Sequence, residues 1–269
     1  MFKTRLLSGI VLAAVALFTI ISGGYVLYGT LLAVSLLGVC ELYRAVKVEE
    51  KKMNLLSATG YLGVISYYFL LNIGLDAYIM MDVILILVAF MFVYVFSYPK
   101  YRAEHVMAAF FGVIYVGVML SYIYQTRNLE SGAFLVWLIF LCSWGCDTCA
   151  YCVGMLIGKH KMSPKLSPKK SVEGAVGGVA GAALLGAVYG AAIGGYMQGG
   201  SHIAEFAVIC AVGALISMVG DLAASAIKRN HEIKDYGKLI PGHGGILDRF
   251  DSVIFTAPVI YWMAVLLIR

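Results

Sequence analysis

The segment from Ser225 to Asp251 combines three kinds of residue that phosphate chemistry needs. Lysines and arginines can hold negatively charged oxygens, glycines let backbone amides approach closely, and carboxylates can bind a divalent metal ion. Gly242, Gly244 and Gly245 allow sharp turns in which successive N–H groups could form an anion-binding nest. A plain connecting loop does not need this set of residues, so we interpret the segment as a site for phosphate groups.

Three aspartates are candidate ligands of a metal ion. Asp248 and Asp251 are one helical turn apart, so on a helix they share a face. Together with Asp221 they could form a cage for Mg²⁺, a hard cation that prefers oxygen ligands.

A second charged segment covers residues 158–174 and is rich in lysine, serine and proline. It leads into a predicted helix, and Lys169, Lys170 and Ser171 lie at the start of that helix. The N-terminus of a helix favours anions, so these residues could hold a phosphate group. The other interpretation is an ordinary cationic loop in contact with lipid headgroups.

Membrane-spanning helices must position these segments. Of the 269 residues, 61% are hydrophobic and 13% are charged, and the mean hydropathy is +0.88, whereas a globular domain has about 45–50% apolar and roughly 25% charged residues. Apolar spans long enough to cross a bilayer recur along the chain, which excludes a soluble enzyme, a secreted disulfide scaffold and a disordered chain. The sequence predicts an all-α polytopic membrane protein with nine spans, at about 5–22, 25–43, 55–74, 78–97, 106–126, 134–157, 175–197, 203–224 and 253–268.

The basic residues are distributed unequally between the two sides of the membrane. With nine spans, every lysine and arginine except Arg127 and Arg269 lies on the side of the N-terminus. The positive-inside rule places that side in the cytoplasm. We therefore predict a cytoplasmic N-terminus, an outer C-terminus and phosphate-binding segments at the cytoplasmic face, in a plasma membrane of bacterial type. The net charge of +5 reflects mostly this excess and carries no nucleic-acid signature.

Several residues inside the spans need an explanation. Asp147 lies in span six, where a carboxylate costs at least a few kcal/mol unless it faces a wet cavity, a cation or a structural partner. The same span carries four cysteines, Cys142, Cys146, Cys149 and Cys152. One helix cannot direct four ligands at one metal ion, so we interpret them as packing residues. The many glycines of span seven predict close packing against another helix or a second protomer, which is compatible with a homodimer.

The two halves of the chain differ in character. Residues 1–133 have short loops and few polar groups within about five predicted helices, and we interpret them as a scaffold. Residues 134–269 hold the membrane acids and two longer cytoplasmic loops, at 158–174 and 225–252, and we interpret them as the catalytic region.

The pattern Ser-x-x-Lys-Arg-x4-Lys-Asp-x5-Pro-Gly-His-Gly-Gly-x-x-Asp-Arg-x-Asp, from Ser225 to Asp251, resembles the signature of the phosphatidate cytidylyltransferases, also called CDP-diacylglycerol synthases. Two upstream blocks, Asp147-x-x-Ala-Tyr-x-x-Gly and Ser-Pro-Lys-Lys-Ser171-Val-Glu173-Gly, are similar to further blocks of that family. Ser171 stands where threonine is more usual, which keeps the hydroxyl group. The resemblance is specific over residues 144–251 and faint over residues 1–133.

The resemblance implies transfer of CMP from CTP to phosphatidic acid, with CDP-diacylglycerol and pyrophosphate as products and membrane lipids as surroundings. It also implies that Asp221 and Asp248 bind a catalytic Mg²⁺, with Asp251 nearby and room for a second cation. We expect direct in-line attack of the lipid phosphate on the α-phosphorus, because a phosphate oxyanion is already a nucleophile and needs only positioning and charge neutralisation.

Further roles follow from the same resemblance. Cations at Lys228, Arg229 and Arg249 would neutralise phosphates, and the segment around Lys169 would hold a substrate. Asp147 and Glu173 would line a polar cavity through which the lipid phosphate enters. Four signature positions have no individual role assigned: Ser225, Lys234, Asp235 and His243.

Two other functions remain open at this point. One is a related transfer to another lipid, as in a CDP-archaeol synthase or a CTP-dependent polyprenol kinase. The other is a channel or transporter whose acids line a cation path, although the acids cluster toward one side of the membrane.

Overall fold

The computed structural model describes residues 2–49, 52–197, 200, 202–242 and 244–268, with side chains from Ser8 onward. The helices and strands, in chain order, are α1 (Phe2–Ser22), α2 (Gly24–Ala45), α3 (Leu55–Asn72), α4 (Ile79–Phe96), α5 (Ala103–Gly112), α6 (Met119–Arg127), α7 (Gly132–Phe140), α8 (Cys146–Ile157), β1 (Lys161–Ser163), β2 (Ser167–Ser171), α9 (Val172–Ile193), α10 (Ile203–Asn230) and α11 (Leu247–Leu267). A 3₁₀ turn, Asp76–Tyr78, precedes α4. The π-helical segments Val113–Val118 and Leu141–Gly145 join α5 to α6 and α7 to α8.

Eight helical stretches in the described chain are long and apolar enough to cross a membrane. They are Gly24–Ala45, Leu55–Asn72, Asp76–Phe96, Ala103–Arg127, Gly132–Ile157, Val172–Ile193, Ile203–Asn230 and Leu247–Leu267. The helix α1 adds an apolar stretch over Ser8–Ser22. Each of the nine predicted spans therefore corresponds to a helix, and the prediction of an all-α polytopic membrane protein is confirmed.

The predicted ends of the last two spans differ from the structure. The helix α10 continues to Asn230, beyond the predicted end at 224, and α11 already begins at Leu247, before the predicted start at 253. Cations in the last turn of a helix interact favourably with its dipole, so Lys228 and Arg229 extend α10 without adding apolar residues. The cytoplasmic loop predicted over 225–252 is therefore a loop only between these helices, over 231–246.

The segment predicted as the loop 158–174 contains a small β-hairpin. The strands β1 and β2 pair antiparallel, with Lys161 opposite Ser171 and Ser163 opposite Ser167. The hairpin was not predicted, because the lysines and prolines of this segment are typical of an exposed loop. The pairing holds this segment in a defined shape immediately before α9.

The chain forms two compact units, and the first comprises Met1–Ser121 and His231–Arg249. Its core contains Tyr43 of α2, whose hydroxyl donates a hydrogen bond to the Ala109 carbonyl oxygen over 2.7 Å. Gly60 and Gly112 lie so close to the Tyr43 ring that a methyl group at either position would overlap it. The helices that carry these glycines, α3 and α5, can therefore pack closely around the tyrosine.

The second unit comprises Tyr122–Asn230 and Phe250–Arg269. In it, α9 packs along both α8 and α10. A Cβ atom at Gly178 would lie 3.0 Å from the side chains of Ala150 and Cys146, and one at Gly186 would lie 2.6 Å from the Phe206 carbonyl oxygen. These glycines therefore serve helix packing inside the chain, as predicted for span seven. All six cysteines are free thiols, and the Cys146 sulfur lies 3.9 Å from the Ala214 carbonyl oxygen, in keeping with a packing role.

Candidate active site

A cavity of about 360 Å³ in the second unit is lined by charged and apolar side chains together. Its lining residues are Asp147, Ala150, Tyr151, Gly154, Met155, Met162, Lys169, Lys170, Ser171, Gly174, Ala175, Met218 and Asp221. The charged members come from α8, from the hairpin that follows it and from α10. The three methionines and Tyr151 give the cavity an apolar part. It can therefore accept a molecule with both an anionic and a hydrocarbon portion.

An ion pair between Lys170 and Asp221 forms part of the cavity wall. The Lys170 ammonium and the Asp221 carboxylate are in contact, and their side chains are 24% and 25% exposed. The sequence predicted both as site residues but not that they pair. When ligands bind, the lysine of such a pair can exchange the carboxylate for a bound anion, and the aspartate can exchange the ammonium group for a bound cation.

Close packing at the start of α9 places Lys169, Lys170 and Ser171 on the cavity wall. The Ser171 hydroxyl caps α9 by accepting a hydrogen bond from the Gly174 N–H over 3.1 Å. A Cβ atom on Gly174 would lie only 2.8 Å from the Ala150 carbonyl oxygen, so the helices α8 and α9 almost touch there. Ser171 is 8% exposed and therefore combines a cavity position with a structural one.

One face of α10 carries Asp221, Ser225 and Lys228, at spacings that align residues on a helix. The Lys228 ammonium lies 4.0 Å from a carboxylate oxygen of Asp251 in α11, and both side chains are less than 15% exposed. Gly220 permits this approach, since a Cβ atom there would lie 3.0 Å from the Asp251 carbonyl oxygen. Asp221 and Asp251 are therefore electrostatic neighbours, each beside its own lysine.

The two acids that were predicted to line a polar cavity have different positions. Asp147 is an exposed residue in the first turn of α8 and does line the cavity. Glu173 instead binds the two residues just before β1: its carboxylate contacts the ring Nδ1 of His160 at 2.5 Å and accepts backbone N–H groups from Lys159 and His160. Glu173 therefore fixes the shape of the segment that bears Lys170.

In the first unit, Asp248 organises the loop that precedes α11. One carboxylate oxygen accepts the Tyr236 N–H over 2.8 Å and the Gly245 N–H over 3.0 Å. Gly244 has a positive φ of 84°, and a side chain there would also crowd the Asp248 carboxylate. The signature glycines thus turn the loop around Asp248, which is 7% exposed.

A second carboxylate, which the sequence analysis missed, supports the same loop. Glu41 of α2 accepts the Ile246 N–H over 3.0 Å and the Leu247 N–H over 2.8 Å. Its presence could have been suspected, because an acid within an apolar span is a candidate functional residue by default. Glu41 was not predicted as a site residue, because the family motifs begin about a hundred residues later.

The remaining predicted site residues lie at the surface of their own units or outside the described residues. Lys234, Asp235 and Arg249 are exposed in the first unit, and Arg229 is exposed at the end of α10 in the second. His243 lies outside the described residues. Roles for these five stay predictions.

The donor set is compatible with magnesium that arrives with a phosphate ligand. Among the described residues, no group of three or more histidine, cysteine, aspartate or glutamate side chains could hold a metal ion. Protein-bound Mg²⁺ commonly uses only one or two carboxylates and completes its coordination with substrate phosphates and water. Asp221, beside the cavity, offers a carboxylate of that kind. The three-carboxylate cage stays a prediction.

Comparisons with known proteins assign this membrane-embedded chain to a class of enzymes. A sequence model of the cytidylyltransferase family matches residues 3–267. The chain is 32% identical to the phosphatidate cytidylyltransferase of Bacillus subtilis, over 98% of each chain. It is 34% identical to the enzyme of that name from Staphylococcus epidermidis and 32% identical to that from Staphylococcus aureus, in both cases over 96% of this chain and 97% of the relative.

The chain therefore belongs to the cytidylyltransferase family and is an enzyme. The resemblance seen in the motifs is confirmed. It extends through the first half of the chain, where the sequence motifs alone gave almost no match.

Proposed function

We propose that this enzyme transfers CMP from CTP to phosphatidic acid, producing CDP-diacylglycerol and pyrophosphate for phospholipid synthesis. The observation that carries the proposal is the Lys170–Asp221 pair in the wall of a cavity that also has an apolar lining. A lipid phosphate with its acyl chains matches that combination of surfaces. The names of the relatives in Bacillus and Staphylococcus support the same reaction.

The proposed reaction is a single displacement at phosphorus. An oxygen of the lipid phosphate attacks the α-phosphorus of CTP, a new P–O bond forms, and the bond to the bridging oxygen of the β-phosphate breaks. Pyrophosphate leaves with the electron pair of that bond. The nucleophile is already ionised, so the protein has to hold two anions together rather than remove a proton.

The cations of the second unit would counter the repulsion between the two substrates. Lys170 lines the cavity, and Lys228 lies at the end of α10 on the same face as Asp221. When phosphate groups bind, Lys170 can exchange its contact with Asp221 for a phosphate oxygen. Before the substrates bind, Lys170 and Asp221 would neutralise each other. Afterwards Lys170 would bind a phosphate oxygen and Asp221 would be available for a cation.

Mg²⁺ would be held by Asp221 and Asp248, with Asp251 close by, and the site would have room for a second cation. The metal ion would neutralise charge on the phosphates of CTP. Arg229 and Arg249 would assist at phosphate oxygens. Because the basic residues collect on one predicted side of the membrane, we place the reaction at the cytoplasmic face, where soluble CTP meets lipid.

The first experiment is a turnover assay of the purified protein in detergent micelles with phosphatidic acid, labelled CTP and Mg²⁺. We expect labelled CDP-lipid and pyrophosphate in equal amounts, and no product when a chelator removes divalent cations. Transfer of the γ-phosphate would instead identify a lipid kinase. Better use of isoprenoid ether phosphates would identify a related synthase, and absence of product with every lipid phosphate would reopen the transporter hypothesis.

The variant Lys170→Met tests the cavity within the same assay. It removes the ammonium group but keeps the length of the side chain, and we expect turnover to fall on the order of 10²-fold, as for loss of one charge-stabilising group. The matched control is Lys165→Met, which removes an exposed lysine from the same hairpin outside the cavity lining. Equal turnover in the two variants would contradict the assignment of the cavity.

A further inference from the structure

We infer that Glu41, in the first half of the chain, is a positioning residue for the loop over 231–246 and the start of α11, an inference that rests on the proposed function. The Glu41 carboxylate accepts the N–H groups of Ile246 and Leu247, one with each oxygen. These amides stand at the beginning of α11, immediately before Asp248 and Arg249. None of the family motifs includes residue 41, which lies 205 positions before Ile246 in the sequence.

The contact satisfies a need that every helix has at its start. The first N–H groups of a helix have no partner within the helix, and they are costly to bury unless another group accepts them. No Ser, Thr, Asp or Asn stands at residue 246 to cap α11, since Ile246 and Leu247 are both apolar. Glu41 supplies the missing acceptors from α2, and its negative charge is favourable beside a helix N-terminus.

The loop is shaped to admit the Glu41 side chain. Gly237 and Gly245 both lie against the Glu41 carboxylate, where a methyl group on either residue would overlap it. Gly245 also donates its N–H to Asp248, so the two carboxylates bind adjacent parts of one loop. Arg44, one turn along α2, adds a favourable charge for Glu41, and Asp248 adds an unfavourable one.

This arrangement links the geometry of Asp248 to α2. Asp248 binds the backbone of the preceding loop, at Tyr236 and Gly245, whereas Glu41 binds the backbone at the start of α11. Without Glu41, the amides of Ile246 and Leu247 would have to find water, and the first turn of α11 would fray. Asp248 and Arg249 would then leave their positions although each residue is intact.

The test compares Glu41→Gln and Glu41→Ala with the control Glu49→Gln. The glutamine keeps one oxygen acceptor but turns an NH₂ group toward the second backbone N–H. Glu49 is a matched buried carboxylate of the first unit, and its partners are Tyr61 at 2.9 Å and Arg44 at 3.5 Å, in α3 and α2. Per folded molecule, we expect kcat to fall about tenfold in Glu41→Gln and further in Glu41→Ala, with KM for CTP changed less than threefold.

Hydrogen exchange gives a readout that does not depend on turnover. In Glu41→Gln, the amides of residues 236–247 should exchange faster than in the wild type, whereas Glu49→Gln should leave that segment unchanged. A second route is Gly237→Ala, which displaces the Glu41 carboxylate; its effect on kcat should be much smaller in a Glu41→Ala background than in the wild type.

The outcomes separate this inference from the proposed function. If the wild type makes no CDP-lipid, the proposed function fails, and the exchange data alone decide whether Glu41 holds the loop. If exchange at residues 236–247 is unaltered in Glu41→Gln, the inference is overturned. It is also overturned if exchange rises but kcat per folded molecule equals that of Glu49→Gln, because Glu41 would then have only a structural role.

Discussion

Two side chains of the candidate site, Asp248 and Ser171, each combine a structural role with a predicted functional one. The Asp248 carboxylate accepts two backbone N–H groups, which is a structural task, and it is also our predicted ligand of Mg²⁺. Ser171 likewise caps α9 and lines the cavity. Such overlap means that an inactive variant proves little unless its fold is measured as well.

The variant Asp248→Asn separates the two tasks of this residue. Asparagine keeps a side-chain oxygen that can accept the Tyr236 and Gly245 N–H groups, but it has no charge for a metal ion. We expect turnover to fall on the order of 10²–10³-fold while the melting temperature in detergent stays near that of the wild type. Asp248→Ala, which loses both functions, should also lower the melting temperature. Wild-type turnover in Asp248→Asn would remove the metal assignment.

At this scale, the sequence predicts which residue types take part but not their partners. Lys170 and Asp221 were both predicted as site residues, yet their pairing depends on the crossing of α8, α9 and α10. Glu173 has the chemistry of a cavity acid but binds His160, because the hairpin turns His160 toward it. Glu41 could not be placed, because its contact requires knowing which loop lies beside α2.

Helix packing in the second unit depends on the glycines of α9. They let α8 and α10 approach on either side, and this crossing brings Lys170 and Asp221 together. The glycine face itself was predictable from the sequence, since small residues at helical spacing mark close contacts. The identity of the partner was not, because such a face fits a neighbouring helix as well as a second protomer.

The variant Gly186→Ala tests this packing. A methyl group there would lie 2.6 Å from the Phe206 carbonyl oxygen and 2.7 Å from the Cys210 sulfur, so backbone must move. Overpacking of this kind typically costs about 1–3 kcal/mol, and we expect a clearly lower melting temperature. Gly195→Ala is the matched control, because its methyl group would meet no described heavy atom within 4 Å. Equal melting temperatures would show that α9 shifts without cost.

Some elements lie beyond what a search for apolar spans can detect. The end of α10 and the start of α11 carry the charged residues of the site, so hydropathy alone assigns them to a loop. The hairpin of β1 and β2 is short and polar, and its pairing is stabilised by contacts that the local sequence does not encode.

For the whole molecule, the sequence predicts the number of helices and the side on which their charges lie. With the nine predicted spans, the two ends of the chain would lie on opposite sides of the membrane, and the distribution of basic residues predicts which end faces the cytoplasm. Homodimer formation stays a prediction. The glycine face of α9 gives it little support, because Gly178 and Gly186 already pack within the chain.

Reporter fusions test this topology directly. Alkaline phosphatase fused to the C-terminus should be active and green fluorescent protein should be dark, because we place that end outside the cytoplasm. After residue 235, in the loop between α10 and α11, the two reporters should show the opposite result. Fluorescence of the C-terminal fusion would contradict the predicted orientation and, with it, the cytoplasmic placement of the reaction.

The contact of Glu41 with the start of α11 also has a consequence for fragments of the chain. The sequence motifs that resemble the family all lie in residues 144–251, more than a hundred residues after Glu41. In a fragment without Glu41, the Ile246 and Leu247 amides would lose their acceptors. A polypeptide of residues 144–251 alone would therefore carry the family motifs without the side chain that binds the start of α11 in the whole chain.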